Sequence, residues 1–487
     1  MVQTNGVHGD QTNGQQPQKD IPVTKLLASF TATTTTRALA PALREKVKEV
    51  LIDYIGCVVG ALQHADSTEP IYTAVTALQG GPISSPKACT VLGKGAPHFL
   101  PQYAGLLNAA LGHSLDFDDT YAEGTLHAGV TAISAALTQA EILGSDSSSE
   151  DFMLAIAVGY EVTCRIGREL GFDAYSRGFH NTSTAGIFGS VAAIAVLKKL
   201  APETVEMAFG LAGSKAAGSM QYLDNGSWNK RLHPGFAVHD AFVCVALAEA
   251  GVVGATRILE GKSGFLKAYT PREEVDLARL VGGLGEEWCW LRSSLKPYAA
   301  CRMTHGFIEL CGTLRASRVE GADTGRLAPS DVKAITLTMS PSNFILVGDP
   351  TPNKRHPTNT IDAQFSAYFQ VGHALIHGAK TGDMAPYSRL TDLDISNLSD
   401  KIAVETDDRM TGFSARTKVE WADGEVEAVQ QQFPLGEVEH PFTREKVDEK
   451  FLVLAGPVYG VERAGRVIGM VDAIERYGVR DLLGVLR

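Results

Sequence analysis

The apolar spacing of this chain changes once and then changes back, and that pattern limits its fold more than any other feature. From residue 22 to about 290, apolar residues recur at three- and four-residue intervals, the period of a helix with one buried face. Leu43, Val47, Val50, Leu51, Tyr54 and Val58 trace such a face, with Arg44, Glu45, Lys48 and Glu49 opposite. Helical segments follow at 99–115, 128–144, 149–170, 184–199, 202–218 and 234–252, dense in small residues that let helices approach closely, with Asp151 and Pro202 at expected starts. Near residue 296 the texture changes. Ile335, Leu337 and Met339 alternate with Thr336 and Thr338, which predicts a half-buried strand over 331–340, and 401–406 offers a second. Residues 417–421 and 425–429 flank Ala422-Asp423-Gly424, a hairpin signal, and 362–378 reads as a helix. From Phe442 the helical period returns, with Val467, Val471 and Ile474. The pattern predicts a large α-helical domain built from both chain ends (21–292 and 439–487), an inserted α+β domain (293–438) and a disordered tail (1–20). A cleft between two such domains is a usual place for a small-molecule site.

A chain of 487 residues is too long for one compact core, which agrees with two domains. The net charge of −11 disfavours nucleic-acid phosphates and acidic membrane surfaces as partners. The apolar runs at 185–197 and 241–256 are too short or are interrupted by charge, as at Glu249, so no membrane span is expected. Seven scattered cysteines, odd in number and without a C-x-x-C pair, suit a reducing compartment, hence the cytoplasm, and give no zinc-site spacing. A small partner is expected. If it is an anion, its positive counterpart must be local.

Four stretches carry groups suited to proton transfer or anion binding. Gly112 to Gly129 packs Asp116, Asp118, Asp119, Thr120, Thr125, His113 and His127 into one segment. Asp116 and Thr120 stand at i and i+4, so a helix would put them on one face, and Gly124 would let the chain bring His127 back over it. Helix capping is the plainer use of such residues. Arg177 to Thr184 sets His180 among hydroxyl and amide groups just before a helix. Trp228 to Gly235 concentrates Lys230, Arg231 and His233 ahead of an apolar helix, where cations oppose the dipole unless a carboxylate is present. Leu295 to Gly306 places Lys296, Tyr298 and His305 at the domain boundary. There is no G-x-G-x-x-G after a strand and no Walker sequence.

The strings V-K-E-V-L-I-D-Y-I-G-C, H-S-L-D-F-D-D-T followed by L-H, G-F-H, N-K-R-L-H-P-G and L-K-P-Y-A-A-C-R-M-T-H-G come in the order of the MmgE/PrpD family, which the chain resembles over roughly residues 22–480. That family contains 2-methylcitrate dehydratase and cis-aconitate decarboxylase. The resemblance implies an all-helical domain with an inserted lid, a homodimer, and active-site groups at Asp116, Thr120, His127, His180, Lys230 and Lys296. His127 is followed by Ala-Gly, where many relatives have Pro-Ser, and Asp118 stands where methylcitrate dehydratases commonly show Asn. The tyrosine position of decarboxylases falls at Phe369 or Tyr368.

The expected activity is therefore a cofactor-independent lyase acting on a small tricarboxylate. Decarboxylation of cis-aconitate or an alkyl-substituted analogue to an itaconate-type product is the first reading, and dehydration of 2-methylcitrate or a longer alkylcitrate is the alternative. Lys230 and Lys296 would hold retained carboxylates. His127 would move the proton, worth roughly 10²–10⁴ in rate. His180 would hold substrate or assist, Asp116 would orient a histidine or lysine, and Thr120 would hydrogen-bond a carboxylate. Neither metal nor redox cofactor is called for. A different class of reading takes Asp116, Asp118, Asp119 and Glu123 as a metal-diphosphate face like that of helical terpene cyclases, but no second acidic motif follows. A noncatalytic interaction protein is the remaining alternative.

Overall fold

The computed structural model describes residues 21–96, 98–272, 275–319 and 326–487. The expected N-terminal tail therefore lies outside the described residues. The Pro41–His64 helix starts with proline in its first turn, where the missing N–H costs nothing. Its predicted face is buried, and from Val50 to Ala61 so is every other side, which makes it the axis of the helical part. Lys48, expected on the polar face, is covered as well, and its ammonium reaches Glu45 and Glu475 at 3.3 and 3.2 Å.

The chain's last third returns to this axis. The Arg444–Tyr459 helix crosses it at Gly56 and Gly60, where an added Cβ would meet Phe451 and Leu454 at 3.2 and 3.0 Å. Beside the crossing, Lys450 pairs with Asp53 at 2.6 Å, donates to the Phe117 carbonyl at 2.7 Å and covers the Phe117 ring. A buried cation thus ties the Arg444–Tyr459 helix to the loop that carries Asp116 and Asp118. Around the axis pack the helices Pro101–His113, Gly129–Leu143 and Ser149–Ser176, and outside them Gly186–Lys198 and Asn229–Glu249. The crossing of Gly186–Lys198 over Ser149–Ser176 needs glycine: a Cβ on Gly189 would stand 2.5 Å from the Gly159 carbonyl.

The apolar core has two parts. One gathers residues from Val23 to Ala299 with Met384 and with Phe442 to Leu486. The other gathers Ala300 to Trp421 with Met220 and Tyr222. The second surrounds a four-stranded mixed sheet of order β2-β1-β3-β4, with β1 at Val332–Met339, β2 at Ile402–Thr406, β3 at Ala415–Trp421 and β4 at Val426–Gln431. β1 runs parallel to β2, pairing Ile335 with Ile402, and antiparallel to β3, pairing Leu337 with Thr417. The β3–β4 hairpin turns through Ala422-Asp423-Gly424, with Gly424 at φ +91. Ile335, Leu337, Met339, Val419 and Trp421 are buried in this second core, and so is Thr338, which the alternation placed outside.

The helix expected over 362–378 is two helices, Thr360–Gln364 and Ala367–His377. Ser366 caps the second by accepting from the Phe369 N–H at 2.9 Å, which stops the first from continuing. At the break, the Gln364 amide donates to the Leu115 and Ala299 carbonyls at 2.7 and 3.2 Å, joining the α+β part to the helical part. No helix among the described residues is long and apolar enough to cross a membrane, and all seven cysteines are free thiols.

Candidate active site

The segment after the Pro101–His113 helix is not helical, so Asp116 and Thr120 do not meet through an i, i+4 face. The helix stops at His113, and Asp116 takes the left-handed backbone (φ +50), an uncommon choice that aspartate tolerates better than most residues. Thr120 instead pairs with Ser294 as an antiparallel bridge, its N–H and C=O bonded at 2.8 and 2.7 Å. That bridge delivers Lys296, two residues on. The chain then reverses through Ala122–Gly124 and returns on a Tyr121–Leu126 bridge. The left-handed residue of the reversal is Thr125 (φ +48) and not Gly124, whose role is close approach to Gly167. His127 emerges from it, its N–H held by Thr182 Oγ1 at 3.1 Å.

Lys230, Arg231 and His233 were expected ahead of a helix. They lie in the opening turns of the Asn229–Glu249 helix, which runs through Pro234. The carboxylate that offsets their conflict with the dipole is Asp116, whose Oδ1 accepts from Lys230 Nζ at 2.6 Å. Arg231 turns the other way, to Asp66 and to Ser67 Oγ at 2.8 Å. Lys296 Nζ also donates to Asp116, to Oδ1 at 2.9 Å and to the backbone carbonyl at 2.6 Å.

Asp116, Thr120, His127, His180, Lys230 and Lys296 all line one cavity. Its remaining wall is largely apolar, with Leu126, Tyr175, Met303, Leu346, Phe365 and Phe413 among its members. Neither Tyr368 nor Phe369 is in that wall. The Tyr368 hydroxyl donates to the Gly348 carbonyl at 2.7 Å, and it is Phe365, at the helix break, that reaches the cavity. Arg302 lines the cavity too, but its guanidinium is engaged by the Glu437 carboxylate and by His305 Nδ1.

Burial alone would raise the Asp116 carboxyl, yet the two ammoniums hold it well below the usual carboxylate range. Burial pushes Lys296 down, and Asp116 opposes that shift. Asp118 is held low as well: burial works against ionisation, and His113 and His127 outweigh it. Asp119 has no cation in contact; burial, then the charges of Asp118 and Asp53, push it up to about 8, so it is protonated at neutral pH while its Oδ1 accepts the Gly129 N–H. Burial lowers His113 to about 4, lowers His127, and carries His180 well below its ordinary value, with His233 adding to the last effect. The cavity thus holds two ammoniums and neutral imidazoles. Two polar atoms facing it, Asp116 Oδ2 and Thr120 Oγ1, are buried without a hydrogen-bond partner, as expected where a ligand supplies the partner.

Three contacts escaped sequence reasoning. His113 Nδ1 lies 2.8 and 3.1 Å from the two Asp118 oxygens, and His127 Nδ1 lies 3.2 Å from Asp118 Oδ2. His180 Nδ1 meets His233 Nδ1 at 3.0 Å. The signal for the third was the histidine inside N-K-R-L-H-P-G, but its partner stands 53 residues away. The acidic metal-diphosphate reading fails on these contacts. Asp116 serves two lysines, Asp118 faces two histidines and Asp119 keeps its proton, so the three carboxyls share no cation-facing surface.

Residues 25–278 match the MmgE/PrpD N-terminal domain and residues 298–476 the MmgE/PrpD C-terminal domain. The chain belongs to the MmgE/PrpD family. It is 27% identical over 478 residues to a cis-aconitate decarboxylase of Aspergillus terreus, covering 93% of each chain. A cis-aconitate decarboxylase-like protein, oryM, of Aspergillus oryzae is 27% identical over 91% of this chain and 92% of its own. The human cis-aconitate decarboxylase is 24% identical over 88% of this chain and 87% of its own. These relatives are named for a decarboxylation, a lyase activity.

Proposed function

We propose that this MmgE/PrpD protein decarboxylates cis-aconitate, or an analogue bearing an alkyl substituent, to an itaconate-type product, with no metal or redox cofactor taking part. The observation that carries the reading is the pair of buried ammoniums converging on Asp116 in a cavity that also holds His127, His180 and the unpartnered Thr120 hydroxyl. Lys230 and Lys296 grip retained carboxylates, Thr120 donates to one, and Asp116 keeps both ammoniums in place. The carboxylate on the methylene carbon leaves as carbon dioxide. Its bonding electrons form the new terminal alkene, the old alkene electrons move to the far carbon, and His127 delivers the proton that carbon takes up. Charge spread into the neighbouring carboxylate meets preorganised ammoniums. His180 borders the same space and helps hold the substrate. The largely apolar remainder of the wall supports room for an alkyl group.

A homodimer in a reducing cytoplasm completes the proposal. Phe236, Val243 and Leu247 form an exposed apolar stripe on the Asn229–Glu249 helix, which supports a covered face there. The test is mass spectrometry of the product from cis-aconitate, alkyl-cis-aconitates and 2-methylcitrate, with wild type and Lys296→Met. Loss of 44 mass units, and a fall of roughly 10²–10³ in kcat/KM in the variant, are expected. Loss of water from the citrates without carbon dioxide release makes the protein a dehydratase instead.

A further inference from the structure

The carboxylate best placed to govern His127 is not Asp116, to which sequence reasoning gave the orienting role. Asp116 Oδ1 is occupied by two ammoniums and stands 3.6 Å from His127 Nε2. Asp118 lies on the opposite edge of the ring, its Oδ2 3.2 Å from Nδ1, which has no other polar partner. An ionised carboxylate only accepts, so the imidazole edge facing it carries the proton. His127 is then the Nδ1–H tautomer, with the Nε2 lone pair on the Asp116 side. When Nε2 takes a proton, the imidazolium stands between two carboxylates, Asp118 behind it and Asp116 beside it.

His113 makes this arrangement rigid. Its Nδ1 spans both Asp118 oxygens, and its ring meets His127 edge-on with centroids 4.5 Å apart. It is fully buried and neutral, so it fixes the direction of the Asp118 carboxylate without cancelling its charge. The Phe117 carbonyl between the two aspartates is held by Lys450, which anchors the loop from the other side. Lys230 and Lys296 are the cations whose field reaches His127, and both oppose its protonation.

His113, Asp118 and His127 also bring three ligand-type atoms within 4.8 Å of one another, a group that could hold a metal ion. The structure favours the hydrogen-bonded use. The His113–Asp118 contact of 2.8 Å is already closed, and two ammoniums lie alongside.

We propose that Asp118 is the positioning residue for proton transfer: shared with His113, it holds His127 in the Nδ1–H tautomer, so that Nε2 takes a proton from solvent as substrate binds and gives it to the substrate carbon. The assignment rests on the reading of His127 as proton donor. Asp118→Asn keeps the shape and removes the charge. Expected is a fall in kcat of roughly 10²–10⁴ with KM changed less than about threefold, and an alkaline limb of the pH–rate profile shifted to lower pH. In parallel, the ¹⁵N spectrum of histidine-labelled wild type, with the His127 signals assigned by their loss in His127→Gln, should show Nδ1 protonated and Nε2 bare. This measurement stands even if Asp118→Asn fails to fold. An Nε2–H tautomer in wild type, or a folded Asp118→Asn with unchanged kcat and pH profile, overturns the proposal. Activity surviving in His127→Gln overturns the proton-donor reading, and this proposal with it. Activity lost against a chelator and restored by zinc makes the three residues ligands, which overturns the positioning role.

Discussion

Asp116→Asn distinguishes an aspartate that holds two ammoniums in place from one that merely caps a helix end. Lys230 and Lys296 contact the same Asp116 oxygen at 2.6 and 2.9 Å, which puts the two ammoniums no more than about 5.5 Å apart, where like charges repel by about 3 kcal/mol or more at an effective dielectric constant of 20. Asparagine tolerates the left-handed backbone at position 116, and its amide oxygen still accepts a hydrogen bond, so the change removes charge and little else. Breaking a buried ion cluster in this way costs about 3–5 kcal/mol. Urea unfolding at 25 °C should show a loss of that size. A tricarboxylate should then repair the variant more than it helps wild type, because its carboxylates replace the missing charge without competing with Asp116. Citrate binding at least tenfold tighter, or about 1.4 kcal/mol more stabilisation at equal saturating concentration, is the expected signature. Turnover should fall at the same time, because the ammoniums are no longer held in register. An Asp116→Asn protein within about 1 kcal/mol of wild type, or one stabilised by citrate no more than wild type is, would refute the reasoning.

Two further substitutions probe the surroundings. The folded protein binds the Asp119 proton more tightly than the unfolded chain, whose aspartates titrate near 4, so this group makes stability fall as pH rises from about 4 to about 8 and has no further effect above that. Asp119→Asn keeps an acceptor for the Gly129 N–H and removes the titration, so it should gain on wild type through that window by at most about 1.4 kcal/mol per pH unit in chemical denaturation; a difference independent of pH would sink the assignment. Leu346→Ala enlarges the apolar wall of the cavity, and should raise the kcat/KM of butyl- over unsubstituted cis-aconitate, with each accommodated methylene worth about 0.8 kcal/mol or roughly fourfold. A ratio that stays constant across a chain-length series argues against a substituent on that side.

Local pattern told most where burial decides structure. The spacing of Leu43, Val47, Val50, Leu51, Tyr54 and Val58 finds a long helix because one face had to be covered whatever the rest of the chain did, and β1, β2 and the β3–β4 hairpin follow from alternation and one turn glycine. Pattern failed where a residue serves two masters. An i, i+4 spacing cannot reveal that Asp116 leaves the helical region in order to offer its carbonyl as well as its carboxylate to Lys296. Pro234 looked like a helix start because proline is at home there, but the helix begins earlier and carries Lys230 on its first turn toward a carboxylate 114 residues away. Ser366 interrupts what reads as one helix, and the interruption is what sends Phe365 into the cavity.

The same limit explains why the site residues were legible as types and their relations were not. Motif order marked Asp116, Thr120, His127, His180, Lys230 and Lys296, and all six face one space. Their protonation depends on neighbours that only the fold supplies: His113 and His127 around Asp118, His233 behind His180, and two lysines on Asp116. Charge makes the point sharply. At neutral pH the set of Lys230, Lys296, Asp116 and Asp118 sums to zero, inside a chain of net charge −11. A tricarboxylate can enter such a set only if its carboxylates take over the ammoniums from Asp116, or if an imidazole gains a proton as it binds. Both routes raise the proton affinity of His127 in the bound state above its depressed value in the free protein, and a site that moves a proton to carbon needs that change when its substrate arrives and not before.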